Sequence, residues 1–325
     1  MAHEITQRES GFWEVAWTGE APWHQLGQCL SPDASLDTWY QQSGLNWRVR
    51  REIPGFASIK GYQLLDGHRV LVRSDNDYPL GLVSERYQPV QPIQILETFR
   101  TLIDDCGYRM ECAGSLFGGK KIWALARTGL GGDVLPGDRL HTFLLLSTSY
   151  DKSESTTARF TCIRTVCNNT LQLASTDSNC EVICRIPHDQ AFDHSVVHER
   201  LGVGSAQRMT HDFIERMQRA ADTTVTVQLA KKMTRELFIR SGVPVDTMEN
   251  YYGFQSVMGL FHGRAKGAEI PGVQGTLWAW LNSVTEFSGA VRRSKTPEHQ
   301  FDNDVFGKGV QLKKVALDVA DQVFA

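Results

Sequence analysis

The chain has 325 residues, of which 41% are apolar and 22% charged, and its 34 Lys and Arg against 37 Asp and Glu give a formal net charge of −3. Such a length and apolar share suffice for a large core, one that can divide into two lobes. The near balance of charge excludes the strongly basic surface of an avid, nonspecific duplex-DNA binder, although a local basic groove can exist on a neutral chain.

In chain order, residues 1–47 come first, with one arginine against six carboxylates. Trp13, Trp17 and Trp23, mixed with Gly and Pro in APWHQLGQ, predict an irregular acidic arm held down by aromatics. Charges where a signal peptide needs an apolar core, and no run near the roughly 20 apolar residues of a membrane span, predict a cytoplasmic protein without a membrane partner. Seven scattered cysteines suit reduced thiols. Ser35 is placed to cap a short helix, LDTWYQQSG, that ends at Gly44.

From 48 to 190 the apolar period is two. The runs WRVRREI, GYQLLDGHRVLVRSD, YPLGLVSERYQPV, YRMECAGSLFGGKKIWALART and RLHTFLLLSTSYDKSESTTARFTCIRTVC are separated by turn residues and predict successive antiparallel hairpins. One helix interrupts them, PIQILETFRTLIDDCG, with Pro92 at its start and Ile95, Phe99 and Ile103 on one face. In the last hairpin Phe160, Cys162 and Val166 alternate, and Asn168, Asn169 and Thr170 are expected to end the strand, with Asn169 or Thr170 capping the next element. Arg164 shares the face of Phe160 and Cys162, where a buried guanidinium needs a carboxylate or a phosphate. Residues 191–325 read as helical. Met209, Phe213, Met217, Ala221, Val225, Leu229, Met233 and Leu237 recur every four residues, with a break expected in TTVTV at 223–227, and GTLWAWLNSVTEFSGAVRR and GVQLKKVALDVADQVF predict two further helices. The fold class is therefore α+β: a hairpin-rich antiparallel sheet packed with one helix, then a mainly helical C-terminal half.

The chemistry-bearing motifs are few. GxxxxGK[ST], GxSxG and HExxH are missing, so no cofactor is expected and the reading leans away from an enzyme. His188, His194 and His198 form the best metal-ligand cluster, a weak one, and Asp302, Asn303 and Asp304 read as a turn. What remains is basic and aromatic residues interleaved along the hairpins. Arg86, Tyr87, Lys120, Lys121, Trp123, Lys152, Arg159 and Arg164 supply charge for phosphates and rings for bases, as single-stranded nucleic acid requires; the competing reading makes the rings core and the arginines a solvated face.

APWHQLGQ, GLVSERYQPVQP at 81–92, FTCIRTVCNNTLQLA at 160–174 and GTLWAWLNSVTEF at 275–287, in that order, resemble the phage- and plasmid-borne proteins that contain the DUF932 domain. The resemblance implies a mobile-element setting and brings no reaction with it. By analogy of fold alone, a hairpin sheet followed by helices is similar to the Rad52-like architecture of phage single-strand annealing proteins. The expectation is a nonenzymatic homo-oligomer that binds single-stranded DNA or RNA, annealing strands in recombination. The alternatives are a phage assembly or anti-defence factor that binds a phage or host protein, its adaptable interface including Met209, Met217 and Met233, and, less favoured, a metal-dependent hydrolase.

Overall fold

The computed structural model describes residues 5–19, 26–165, 169–172, 183–186, 188, 192–193, 195, 199 and 203–324. The chain divides into two compact units, one from residues 1–129, 144–159 and 183–205 and the other from 130–143, 160–182 and 206–325. These bounds differ from the three sequence segments 1–47, 48–190 and 191–325. The class is α+β, with largely antiparallel sheets and a helical C-terminal half. Among the described residues no helix is long and apolar enough to cross a membrane.

In the first unit the expected arm contributes to a sheet. Val15–Trp17 (β1) pairs antiparallel with Arg109–Leu116 (β8) and parallel with Gln28–Cys29 (β2). Val15 and Ala16 are fully buried, so this short strand is held by packing rather than by length. The helix α1 (Leu36–Gln42) starts where Ser35 accepts the Thr38 amide hydrogen. The strands β3 (Val49–Glu52), β6 (His68–Arg73) and β7 (Pro79–Ser84) form a three-stranded antiparallel sheet. Among the described residues β4 (Gly55–Ser58) pairs only with β5 (Gly61–Leu64). The helix α2 (Pro92–Cys106) has the expected proline entry, a Gln91–Gln94 capping box and a left-handed Gly107 at its end. It buries Ile95, Leu96, Phe99 and Leu102, worth about 2 kcal/mol each when fully removed from water.

The long strands β9 (Lys121–Leu135), β10 (Asp138–Ser149) and β11 (Thr156–Arg164) come next, and the sheet order is β12-β11-β10-β9-β8-β1-β2 with β13 (Ile183–Ile186) also on β11. The strand β12 (Asn169–Gln172) corrects the expectation for the asparagines: Asn169 and Thr170 pair with Arg164 and Ile163 and open the next strand, rather than capping a following element. A hairpin needs turn-prone residues at the same place a strand end does, so the sequence signal is shared. Asn168 lies outside the described residues.

In the second unit the helical stripe breaks where expected, into α3 (Val203–Asp222) and α4 (Val227–Arg240). The intervening backbone pairs instead with residues 275–277: the Val225 amide donates to the Gly275 carbonyl at 2.8 Å and Leu277 to Thr223 at 2.9 Å. Thr226 then caps α4 by accepting from Leu229. Met209, Met217 and Met233 are core, which leaves none of them exposed as an adaptable interface. The helices α5 (Tyr252–Gly259), α6 (Leu277–Glu286), α7 (Pro297–Val305) and α8 (Lys308–Phe324) complete the unit. Asp302, Asn303 and Asp304 lie inside α7 rather than in a turn, because Thr296 and Pro297 start a helix ahead of them. Asp304 accepts from Lys313 at 2.9 Å and Ser288 at 2.7 Å.

Candidate nucleic-acid interface

Three turns of the first unit meet at one place. The β6–β7 turn carries Tyr78, the β8–β9 turn Gly118–Lys120, and the β10–β11 turn Tyr150–Lys152. A Cβ on Gly118 would fall 2.5 Å from the Tyr78 ring, so only glycine lets that ring approach. Lys120 Nζ stands 6.0 Å from the centre of the same ring, and its carbonyl accepts the Tyr150 amide at 2.8 Å. Gly81 backs onto the Tyr150 carbonyl, where a Cβ would lie at 2.3 Å. Among the described residues, the non-glycine residues with positive φ are Asp77 at 57°, Phe117 at 55° and Lys152 at 67°, one in each turn. Left-handed backbone at a bulky residue costs on the order of 1–3 kcal/mol, and it persists where the surroundings over-determine it.

Under the first two of these turns lies a buried ionic network. The Arg73 guanidinium, fully buried at the end of β6, lies 4.4 Å from the Trp47 ring centre. It donates to Glu14 at 2.6 and 2.9 Å, to Asp75 at 2.8 and 2.9 Å, and to the Gly118 carbonyl at 3.2 Å. Ser115 and Arg8 also donate to Glu14, at 2.5 and 2.8 Å. Burial opposes the charge on Arg73, but the hydrogen bonds to Asp75 and Glu14 outweigh it and hold its pKa above the ordinary value. Burial likewise tends to raise the Asp75 pKa, and the bond from Arg73 turns the balance so that it falls below the usual carboxylate value. Arg73 thus ties the first turn, through Asp75, to the second, through Gly118.

The proposed contact residues separate by burial. Arg86 and Lys152 are exposed and Lys120 is half-buried. Tyr87 is half-buried: its hydroxyl donates to the Ser149 carbonyl at 3.0 Å, its face stacks on His188 at 4.6 Å, and burial raises its pKa. Trp123 and Lys121 are buried, because residues 121–124 have no solvent face in the sheet. Lys121 lies 3.9 Å from Glu154, and Arg159, also buried, lies 3.8 Å from the same carboxylate. Burial lowers the Arg159 pKa against the opposing pull of Glu154, with a smaller push in the same direction from the Arg185 charge. For Arg164 the required partner is a carboxylate: it donates twice to Asp138 at 2.6 Å, with further bonds to the Lys266 and Gly267 carbonyls at 3.0 and 3.4 Å. Asp138 also accepts from Trp278 Nε1 at 2.8 Å, so two of the sequence motifs meet in the core of the second unit. Phosphate contact from the buried groups would require them to be uncovered.

Sequence reasoning did not single out Tyr78, Glu14 or Arg73 as a set; the one available signal was Asp75-Asn76-Asp77 as a turn ahead of an aromatic. His194 and His198 lie outside the described residues. Among the described residues, the side chains that could share a metal ion are His211, Asp212 and Glu215, all exposed on α3. No curated protein and no solved structure matches the chain. The family model for the domain of unknown function DUF932 matches residues 79–305, and the chain belongs to that family.

Proposed function

We propose that this is a nonenzymatic, cytoplasmic protein of a phage or plasmid that binds single-stranded DNA or RNA as a homo-oligomer, annealing strands in recombination. The observation that carries the reading is the junction of the three turns, where Lys120 and the 41%-exposed Tyr78 stand on turns that Arg73 ties together through Gly118 and Asp75, and the turn of Lys152 is joined to them by the Tyr150 amide on the Lys120 carbonyl. Mobile lysines give weak, diffuse attraction, whereas lysines on a rigid platform beside an exposed ring offer phosphate contact and base stacking together. Arg86 and Tyr87 extend the basic and aromatic character along the chain. Asp77 is tied to Arg50 at 2.5 Å, which removes one carboxylate from competition with the phosphates.

The test is fluorescence anisotropy of nuclease-treated protein with a labelled single strand and its duplex across a salt series. Replacing both Lys120 and Lys152 by alanine is expected to weaken single-strand binding and to flatten the slope of log affinity against log salt by about 1.4. Unchanged affinity and slope would remove the junction as the binding site.

A further inference from the structure

Where α6 ends, the chain passes through a wider, π-type turn at Phe287–Val291, closed by the Arg292 amide on the Phe287 carbonyl at 2.7 Å. Such turns recur at functional segments. This one serves Tyr252, the first residue of α5. The Tyr252 hydroxyl donates to the Val291 carbonyl at 3.1 Å, its ring centre lies 6.3 Å from that of the buried Phe287, and the Arg293 guanidinium stands 5.1 Å from the same centre. The ring is nonetheless 44% exposed, Arg293 and Lys295 are exposed, and Arg292 is half-buried. Among the described residues these three cations make no ion pair. Residues 250–268 and 287–297 contain no carboxylate, and Glu249, just ahead of the first stretch, is held by Arg235 at 2.9 Å.

We infer that this patch of the second unit is a further single-strand contact, in which a base stacks on the Arg293 guanidinium, on the face turned away from Tyr252, while Arg292 and Lys295 hold the flanking phosphates. The inference rests on the single-strand reading of this protein and adds a site in the other unit. Three cations with no competing acid around them call for a polyanion. A guanidinium laid on an aromatic ring keeps its other face, and guanidinium planes stack unpaired bases. That stack selects the occupant: an acidic peptide would satisfy the charges but brings no base for the open face, and a duplex keeps its bases within its own stack. Because the Tyr252 hydroxyl is anchored at the π-type turn, the platform is formed before the strand arrives, which lowers the ordering cost of binding.

The test uses nuclease-treated, full-length protein with a labelled single strand that carries 5-iodouridine, and with labelled polyglutamate. Irradiation of the complex of the unaltered protein is expected to cross-link the peptide that contains Tyr252. In titrations across a salt series, Arg292→Ala with Lys295→Ala should flatten the slope of log affinity against log salt by about 1.4. Tyr252→Leu should instead weaken single-strand affinity roughly tenfold and leave that slope unchanged. A parent protein that binds the strand but gives no cross-link at Tyr252, or variants with parental affinity and slope, would overturn this site and leave the turn junction standing. Polyglutamate bound as tightly as the strand would overturn the choice of partner. A parent protein that binds no single strand would overturn the shared reading, and this inference with it. The cross-link is read on the unaltered chain and decides the matter if a substituted protein fails to fold.

Discussion

Each unit holds a buried arginine against a tryptophan face, and the two clusters are built to different ends. Arg164 and Asp138 form a wholly buried pair, and among the described residues Trp278 and two main-chain carbonyls join it. Arg73 and Glu14 are as deeply buried, but Asp75 and Arg8 extend that network outward, each with a side chain 29% exposed. A sealed pair fixes a core, while a pair with an outer layer can hold surface backbone in place. The desolvation cost of either arginine is met only while its carboxylates remain, which makes the carboxylates the sensitive positions.

The comparison breaks most visibly at Asp138. Asp138→Ala removes the carboxylate to which Arg164 donates twice and the acceptor of Trp278 Nε1, and should lower stability by about 3–5 kcal/mol in urea denaturation. Glu14→Gln should cost less, about 1–3 kcal/mol, because Arg73 keeps both bonds to Asp75. Equal losses would mean that the outer layer of the first cluster carries no weight. Trp278→Phe keeps the ring over Arg164 and removes only the N–H, for about 1 kcal/mol in the same assay.

The smallest effect is a pH dependence. The folded-state pKa of Asp75 is depressed, so its contribution is fully present above the unfolded carboxylate value and is lost as pH falls through the lower folded value. Stability measured by denaturation should therefore decline in acid, and Asp75→Asn should make that decline shallower while lowering stability at neutral pH. An unchanged acid limb would assign the loss to other carboxylates.

Local features of the fold were legible in the sequence. Pro92 and Gly107 bracket α2, Ser35 starts α1, and the β-branched run at 223–227 separates α3 from α4, because caps and propensity act within a few residues. Partners distant in the chain were not. Asp138 and Trp278 are 140 residues apart and Glu14 and Arg73 are 59 apart, and no spacing rule joins them. Lys121 and Trp123 went to the interior because the β9 segment is covered on both faces, where simple alternation would leave one face wet. Lys120, one residue earlier, stays at the turn with Tyr78; that part of the site was readable as a hairpin tip.

The most direct test of the turn junction compares Lys120→Ala with Lys152→Ala against Lys231→Ala with Lys232→Ala, two exposed lysines of α4 in the other unit. Each doubly substituted protein is titrated with a labelled single strand over a salt series. Loss of affinity with a flatter salt slope for the first pair, and parental behaviour for the second, is the predicted result. Equal losses, or no loss in either, would contradict a binding site at the junction.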